Sequence, residues 1–213
     1  MILLTGFEPF GEEKVNPSWR AVQRATEILR NDGYPVEAVE LPCVFGESAA
    51  SLNAALDRAV PEVVVCVGLA GGRERVSLER VAINCDDARI PDNAGQRPID
   101  QEVVQGGPAA YFSSLPIKAA LRNLQIAGIK GEVSQSAGTY VCNHVFYALM
   151  HALASRPGVR GGFIHVPYLP EQLPAATATP SMTLETMAEG VAVVVRTALK
   201  TAADIRLPAG AIH

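Results

Sequence analysis

The chain has 213 residues, of which 48% are hydrophobic, and its formal net charge at pH 7 is −4. This length suits one α/β domain with helices on both faces of a sheet, and the apolar fraction is sufficient for a sizeable core. The acidic balance and the scattered Lys and Arg residues argue against nucleic acid or an anionic membrane as a partner. No apolar run approaches the roughly 18 residues of a membrane span.

The first residues, Met-Ile-Leu-Leu-Thr-Gly, contain no basic leader and no small-residue cleavage site. We therefore expect no secretory signal and a cytoplasmic protein. The cysteines at positions 43, 66, 85 and 142 form no C-x-x-C pair of the kind that indicates a zinc or redox site. In the cytoplasm they are expected to be reduced.

Predicted strands and helices alternate along the chain. Asn16 and Pro17 favour a helix start, because Asn caps helices and Pro fits the first helical position, and Gly33 ends this helix. Strands are predicted over residues 2–4, 36–41, 62–68, 78–84, 131–135 and 162–166. Further helices are predicted over residues 47–60, 116–127, 142–154 and 184–202. The alternation predicts a single α/β domain over residues 1–213, a three-layer α/β/α sandwich with a mostly parallel twisted sheet.

A long polar stretch, residues 86–105, has little periodicity and contains several Pro, Gly, Asp and Asn residues. This composition predicts a loop or an irregular hairpin. A loop of this length within a compact domain is usually functional.

Cys142 follows a short predicted strand and begins an amphipathic helix. At a helix N-terminus the macrodipole lowers a thiol pKa, and free backbone N–H groups can receive an oxyanion. These features favour a nucleophilic cysteine. The alternative is one more inert core thiol, and the local pattern does not separate the two.

A base for this thiol must come from four histidines. His144 and His151 share a helix with Cys142 but do not face it, and His213 is the last residue of the chain. His165 ends an apolar run and is therefore predicted at the carboxyl end of a strand, where open α/β sheets build their sites. His165 is the best candidate by elimination, and a core histidine bonded to a backbone carbonyl is the alternative.

A carboxylate that orients the imidazole could be Glu79, Asp86, Asp87 or Asp92. Glu79 lies in a predicted strand among apolar neighbours, so its carboxylate needs a buried partner, which the His165 ring could supply. An ion pair of Glu79 with a nearby arginine, Arg73 or Arg75, is an equally good reading of the spacing.

Several segments together resemble the pyroglutamyl peptidase I family, also called pyrrolidone carboxyl peptidases. The resemblance covers nearly the whole chain, and although each motif is short, their joint occurrence in this order is specific. The matching segments are residues 5–11 (TGFEPFG), 15–18 (VNPS), 71–73 (GGR), 79–84 (ERVAIN), 88–93 (ARIPDN), 105–111 (QGGPAAY), 137–144 (AGTYVCNH) and 162–168 (GFIHVPY).

The resemblance implies a catalytic triad of Cys142, His165 and Glu79 in a cytosolic thiol peptidase. It implies an α/β/α fold, no metal or other cofactor, and a homotetramer. The implied substrates are peptides with an N-terminal pyroglutamyl residue.

The resemblance also implies an apolar substrate pocket. Phe7 and Phe10 match the aromatic residues of the family pocket, which suits a flat, uncharged lactam. Asn16 matches a polar position near this pocket, in addition to its predicted role as a helix cap. Arg89 matches a family arginine near the reaction centre, where it could hold the oxyanion or the peptide.

One position departs from the family pattern. Leu69 occupies the place before Ala-Gly-Gly-Arg where the family commonly has Gln. If the family uses the side-chain amide to bind the lactam, its loss weakens binding by roughly 1 kcal/mol or more. We therefore expect activity to be retained and KM to be affected.

Two other functions are compatible with this fold class. A nucleoside-phosphorylase-like transferase could use the Gly71-Gly-Arg loop for phosphate, although lone glycine pairs are weak signals and no G-x-x-x-x-G-K loop occurs. A catalytically inactive pyroglutamyl-binding protein is the other alternative. All three implied triad positions are filled, which argues against it.

Overall fold

The computed structural model describes residues 1–174 and 176–210. A short 3-10 helix covers Pro170–Gln172. The strands and α-helices, in chain order, are β1 (Ile2–Phe7), α1 (Pro17–Asn31), β2 (Val36–Leu41), α2 (Glu47–Ala59), β3 (Val63–Leu69), β4 (Val76–Glu79), β5 (Val81–Ile83), β6 (Ala110–Phe112), α3 (Ile117–Ile126), β7 (Gly131–Ser134), α4 (Val141–Leu153), β8 (Arg160–Val166) and α5 (Leu184–Lys200).

Six strands form the main sheet, in the order β2-β1-β3-β8-β4-β7. The neighbouring pairs are parallel except for β4 and β8, which run antiparallel. Strands β1, β3 and β8 therefore end at the same edge of the sheet. The mostly parallel sheet that the sequence predicts is confirmed.

Helices cover both faces of this sheet. Helices α1, α3 and α5 pack on one face around a core that includes Leu4, Leu124 and Val191. Helices α2 and α4 cover the other face, where Leu56 and Phe146 belong to a second core cluster. The predicted α/β/α sandwich is confirmed. None of the helices in the described part of the chain is long and apolar enough to cross a membrane.

The start of α1 agrees with its sequence signal. Asn16 is the N-cap, its Oδ1 accepts hydrogen bonds from the backbone N–H and the hydroxyl of Ser18, and Pro17 is the first helical residue. The Asn16 Nδ2 donates to the backbone carbonyl of Glu8 at 2.9 Å. The cap therefore fixes the loop after β1 as well as the helix.

The single strand predicted over 78–84 is wrong. The chain leaves the main sheet at Arg80, so that β4 belongs to the main sheet whereas β5 pairs with β6 in a separate two-stranded sheet. The Arg80 N–H donates to the Ser134 carbonyl of β7, whereas the Arg80 carbonyl accepts the N–H of Ser113, which follows β6. The predicted strand is therefore divided at Arg80. Strand β6 was not predicted, because its three residues lack a buried apolar pattern.

The stretch 86–105 contains no helix or named strand, as predicted, and has one isolated bridge between Asp86 and Gln101. Asp92 is buried within it, and its carboxylate accepts hydrogen bonds from the backbone N–H groups of Phe45, Ala94 and Gln96. This irregular segment is therefore held by a buried acceptor instead of a strand ladder.

Candidate active site

A cavity of about 220 Å³ opens where β1, β3 and β8 end. The segments that surround it come from distant parts of the sequence, and they meet because the parallel strands end at one edge. The cavity is lined by Phe7, Phe10, Asn16, Cys43, Leu69, Ala70, Arg73, Ala137, Gly138, Tyr140, Cys142 and His165.

His165 and Glu79 form a buried pair beneath this cavity. The His165 Nδ1 lies 2.7 Å from the Glu79 Oε1, and the carboxylate side chain has no exposed surface. The strand register explains the pair, because Ser77 of β4 lies opposite His165 of β8 and Glu79 projects from the same face as Ser77. The imidazole also packs on Phe163, with ring centroids 4.9 Å apart.

Glu79 has a second partner on the same oxygen. The Arg73 Nη1 donates to Glu79 Oε1 at 2.8 Å, and the Arg73 Nη2 donates to the Ser136 carbonyl at 3.3 Å. The sequence left Glu79 with either a histidine or an arginine as partner, and the structure contains both. Arg75 pairs instead with Glu74 at the surface.

Cys142 is the second residue of α4 and faces the same cavity. Its Sγ lies against Gly68 of β3, where an added Cβ would be 2.9 Å from the sulfur. Gly68 is the register partner of His165. The thiol therefore lies over β3, which is the neighbour of β8, the strand that carries the His165 imidazole.

The start of α4 leaves backbone donors near the thiol. The N-cap residue, Tyr140, provides no side-chain cap, and the first N–H groups of a helix have no intrahelical partner. The Asn143 side chain binds backbone groups of Ile83 and Cys85 at 2.9–3.0 Å, which anchors this turn to β5. The donors are thus held in a fixed position beside the sulfur.

Burial raises the pKa of the Cys142 thiol, and the negative charge of Glu79 also raises it, whereas Arg73 lowers it. The net rise is opposite to the lowering that the sequence predicted, so that expectation is wrong for the resting protein. The helix dipole contributes roughly 0.3–1 kcal/mol, which is less than the penalty for a thiolate removed from water. Solvent exclusion therefore opposes formation of the thiolate at Cys142.

The other cysteines have different surroundings. Cys66 is fully buried in β3, and burial raises its thiol pKa to about 12. Burial likewise raises the pKa of Cys43 to about 12, although this residue lines the cavity. Cys85 is only partly buried. Cys66 is therefore part of the core.

The remaining described histidines have other partners. The His144 Nδ1 lies 2.7 Å from the Asp86 Oδ2, and its Nε2 accepts the Gly46 N–H at 3.1 Å. The His151 Nδ1 lies 2.9 Å from the Tyr111 hydroxyl. His213 lies outside the described residues. Among residues 1–174 and 176–210, His165 alone combines a cavity position with a carboxylate partner.

The alternative carboxylates are likewise used elsewhere. Asp86 binds His144, and Asp92 binds three backbone N–H groups of its own loop and of Phe45. Asp87 is exposed, and its backbone is bonded to Thr139. Of the four candidates, Glu79 is the carboxylate that the structure brings to His165.

The apolar wall of the cavity contains three aromatic residues, Phe7, Phe10 and Tyr140. The rings of Phe10 and Tyr140 are 6.1 Å apart, and the Tyr140 hydroxyl donates to the Pro91 carbonyl at 3.0 Å. Leu69 also lines the cavity, at the end of β3. Phe7, Phe10 and Leu69 therefore lie together in the wall of this cavity, and their contact with a lactam stays a prediction.

Glu8 fixes the loop that carries this wall. Its Oε1 accepts hydrogen bonds from the Cys43 N–H at 2.9 Å and from the Asn93 side chain at 2.8 Å, while its backbone carbonyl accepts from Asn16. Asn16 reaches the cavity, but its side-chain oxygen and nitrogen are already bonded within the protein. The Asn16 side chain therefore supports the loop, and a contact between Asn16 and a ligand stays a prediction.

Arg89 is not among the residues that line the cavity. It is exposed and lines a neighbouring depression together with Asp87 and Ile90. Gly138 and Tyr140 line both this depression and the cavity, so the two are adjacent. A contact of Arg89 with a ligand would therefore involve a part that extends out of the cavity.

Gly68, Arg73 and Tyr140 were not predicted as site residues. The sequence places Gly68 at the end of the strand predicted over 62–68 and offers Arg73 as one possible partner of Glu79. Their proximity to Cys142 depends on contacts between β3, the following turn and α4, for which no local sequence signal exists.

A thiol, an imidazole and a carboxylate around one apolar cavity are the groups that cysteine peptidases use. Among the described residues, no group of three or more His, Cys, Asp or Glu side chains could hold a metal ion. The α/β/α fold and this set of groups therefore place the protein among α/β proteins that have a cysteine-peptidase type of site.

Comparison with known proteins narrows this class. The family model for pyroglutamyl peptidase matches residues 1–201. The pyrrolidone-carboxylate peptidase of Cupriavidus taiwanensis is 55% identical over 214 aligned residues, which cover 100% of this chain and 99% of that protein. The pyrrolidone-carboxylate peptidase of Escherichia fergusonii is 53% identical, with the same coverage of both chains.

Solved structures agree with the sequence comparison. Pyroglutamyl peptidase I of Bacillus amyloliquefaciens is 45% identical and superposes with a TM-score of 0.90, over 96% of this chain and 98% of that chain. A mutant pyrrolidone carboxyl peptidase of Pyrococcus furiosus is 41% identical with a TM-score of 0.85, over 94% and 99% of the two chains. The chain therefore belongs to the pyroglutamyl peptidase family and is a hydrolase of the protease class.

The close approach of Cys142 to Gly68 can be tested by substitution. We expect Gly68→Ala to lower the free energy of unfolding by about 1–3 kcal/mol, because the methyl group would overlap with the Cys142 sulfur and with the Phe163 ring at 2.8 Å. Urea denaturation measures this loss. Gly210→Ala is the matched control, since nothing lies within 4 Å of its added Cβ. Equal stability of the two variants would contradict the close approach.

Proposed function

We propose that the protein hydrolyses the bond after the N-terminal pyroglutamyl residue of peptides, with Cys142 as nucleophile, His165 as base and Glu79 as the orienting carboxylate. One observation carries the proposal: a single apolar cavity contains the thiol and an imidazole whose Nδ1 is 2.7 Å from a fully buried carboxylate. The names of the relatives, pyrrolidone-carboxylate peptidases, support the same substrate.

The charge of the cavity favours a lactam over a free N-terminus. Among the described residues that line it, none is acidic, and Arg73 contributes a positive charge. A peptide ammonium would lose its water without gaining a carboxylate partner among the residues that line the cavity. The pyroglutamyl ring is uncharged and flat, so it loses less on entering a space between Phe7, Phe10 and Leu69.

The first half of the reaction forms a thioester. The Cys142 proton passes to the Nε2 of His165 as the sulfur attacks the carbonyl carbon that follows the lactam ring. The carbonyl oxygen becomes negative and faces backbone N–H groups at the start of α4. The C–N bond then breaks, and the leaving amine takes the proton from His165.

The second half releases pyroglutamate. Water replaces the leaving peptide, gives a proton to His165 and attacks the thioester carbonyl carbon. The C–S bond breaks, and the sulfur recovers the proton from His165. Glu79 accepts the Nδ1–H bond throughout, which fixes the tautomer and stabilises the imidazolium in both halves.

The leaving peptide requires room outside the cavity. The depression beside it, lined by Asp87, Arg89 and Ile90, is adjacent through Gly138 and Tyr140. We propose that Arg89 acts there on the peptide and not on the lactam. This placement agrees with the lining of the cavity, which includes no residue of the 86–105 segment.

The reaction is tested with a pyroglutamyl aminomethylcoumarin amide in reducing buffer. We expect turnover by the wild type and a loss of about 10³-fold or more in kcat for Cys142→Ala and His165→Ala, because the proton-transfer unit is broken. Cys66→Ala and Cys85→Ala are controls that keep turnover. An inert wild type that still binds pyroglutamate would favour the binding protein, and turnover only with phosphate and a nucleoside would favour the transferase.

Leu69 tests the lactam contacts. We expect Leu69→Gln to lower KM about fivefold at unchanged kcat, because an added amide hydrogen bond contributes about 1 kcal/mol. Steady-state kinetics with the same amide measure the change. Leu69→Met, which keeps an apolar side chain of similar volume, should leave KM as it is. A higher KM for the Gln variant would exclude a side-chain contact with the lactam at this position.

We also propose a cytoplasmic homotetramer, on the strength of the family resemblance. Large exposed apolar side chains are compatible with buried interfaces, since Ile99, Phe112 and Ile126 are each at least 70% exposed in the single chain. We expect sedimentation velocity to give four times the chain mass. A concentration-independent monomer would contradict the tetramer and leave the proposed chemistry intact.

A further inference from the structure

Arg73 belongs to the short connection between β3 and β4, where that connection passes the cavity. Its guanidinium is about 30% exposed and has two partners, the Glu79 carboxylate and the Ser136 carbonyl. Of the described residues lining the cavity, Arg73 and His165 alone have basic side chains. Arg73 is thus the cation nearest to the reacting groups of the proposed mechanism.

Glu79 depends on few donors. Its side chain has no exposed surface, and its Oε2 has no hydrogen-bond partner among the described residues. Oε1 receives both existing bonds, from His165 and from Arg73. Without Arg73, a buried carboxylate would retain one neutral donor, which does not compensate for a removed hydration shell.

We propose that Arg73 is a positioning residue that balances the charge of the buried Glu79 carboxylate and holds it on His165, so that the imidazole can accept the Cys142 proton. This inference rests on the proposed function, and it deepens it by adding a charge partner to the triad. With Arg73 present, the negative charge of the Glu79 carboxylate is balanced by the guanidinium. Transfer of the thiol proton to His165 leaves the net charge unchanged, so the buried site never holds an unbalanced charge.

No other described cation takes this place. Besides Glu79 and Arg73, the titratable groups that act on Cys142 are the thiols of Cys43 and Cys66, which are not cations. On β7 the Glu132 carboxylate accepts the Ser77 hydroxyl and is a further negative group. Arg75 and Lys130 pair with Glu74 at the surface, away from the buried carboxylate.

The test compares Arg73→Met with Arg73→Lys in the amide assay across pH. For Arg73→Met we expect kcat to fall about tenfold or more with little change in KM. The acid limb of the kcat/KM profile should move about one unit to higher pH, because loss of the cation lets the Glu79–His165 pair bind a proton more readily, and the protonated pair cannot accept the thiol proton. Arg73→Lys retains the positive charge and should restore most of the profile.

Arg75→Met is the matched control, since it removes a neighbouring arginine that pairs only with Glu74. Its profile should superpose on that of the wild type. The proposal is overturned if the Arg73→Met profile also superposes, if its whole loss lies in KM, or if Lys and Met behave alike. A superposed profile would remove any electrostatic role of Arg73. A loss confined to KM would indicate a substrate contact, and equal behaviour of the Lys and Met variants would indicate a packing requirement.

A double variant tests whether Arg73 acts through Glu79. In a Glu79→Gln background, Arg73→Met should change kcat by less than about twofold, because no carboxylate remains to be stabilised. An unchanged tenfold loss in that background would show that Arg73 acts by another route and would overturn the proposal.

A second readout does not depend on turnover. Alkylation of Cys142 by iodoacetamide, followed by mass spectrometry, should require higher pH in Arg73→Met than in the wild type, because Arg73 lowers the pKa of this thiol. Cys85, which has no such contribution from Arg73, is the internal control. An inert wild type would refute the proposed function while this shift still supports the role of Arg73, and an unshifted alkylation curve would refute that role alone.

Discussion

A carboxylate with no exposed surface destabilises a protein unless charged or polar partners replace its water. Glu79 is such a group, and both of its hydrogen bonds converge on one oxygen, from His165 and Arg73. The arginine supplies the charge and the histidine supplies the link to the cavity. The remaining parts of the site depend on this pair, because the carboxylate holds the Nδ1 of an imidazole that lines the same cavity as Cys142.

The sheet register sets the distances within the site. Gly68, His165 and Ser77 occupy one row across β3, β8 and β4, and the missing side chain of Gly68 leaves room for the Cys142 sulfur. Glu79 follows Ser77 by two residues on β4 and therefore projects from the same face as His165.

The apolar and the charged groups of the cavity lie in different places. Its wall of Phe7, Phe10 and Leu69 is apolar and suits an uncharged ring, while the charged groups lie at one side, around Glu79. Burial raises the pKa of the Cys142 thiol, which faces the same cavity. The apolar wall and the charged groups around Glu79 are thus adjacent but distinct parts of one site.

The sequence by itself determined the alternation of elements, the cap at Asn16, the irregular 86–105 segment and the position of Cys142 at a helix start, since each follows from local periodicity or local hydrogen bonding. Local sequence patterns allowed two partners for Glu79, a histidine or an arginine, and they assigned no role to Gly68. Only the tertiary structure decided that one Glu79 oxygen binds both His165 and Arg73, that the run 78–84 divides at Arg80, and that burial outweighs the helix dipole at Cys142. These outcomes depend on strand order and solvent exclusion, which arise from contacts between residues far apart in the chain.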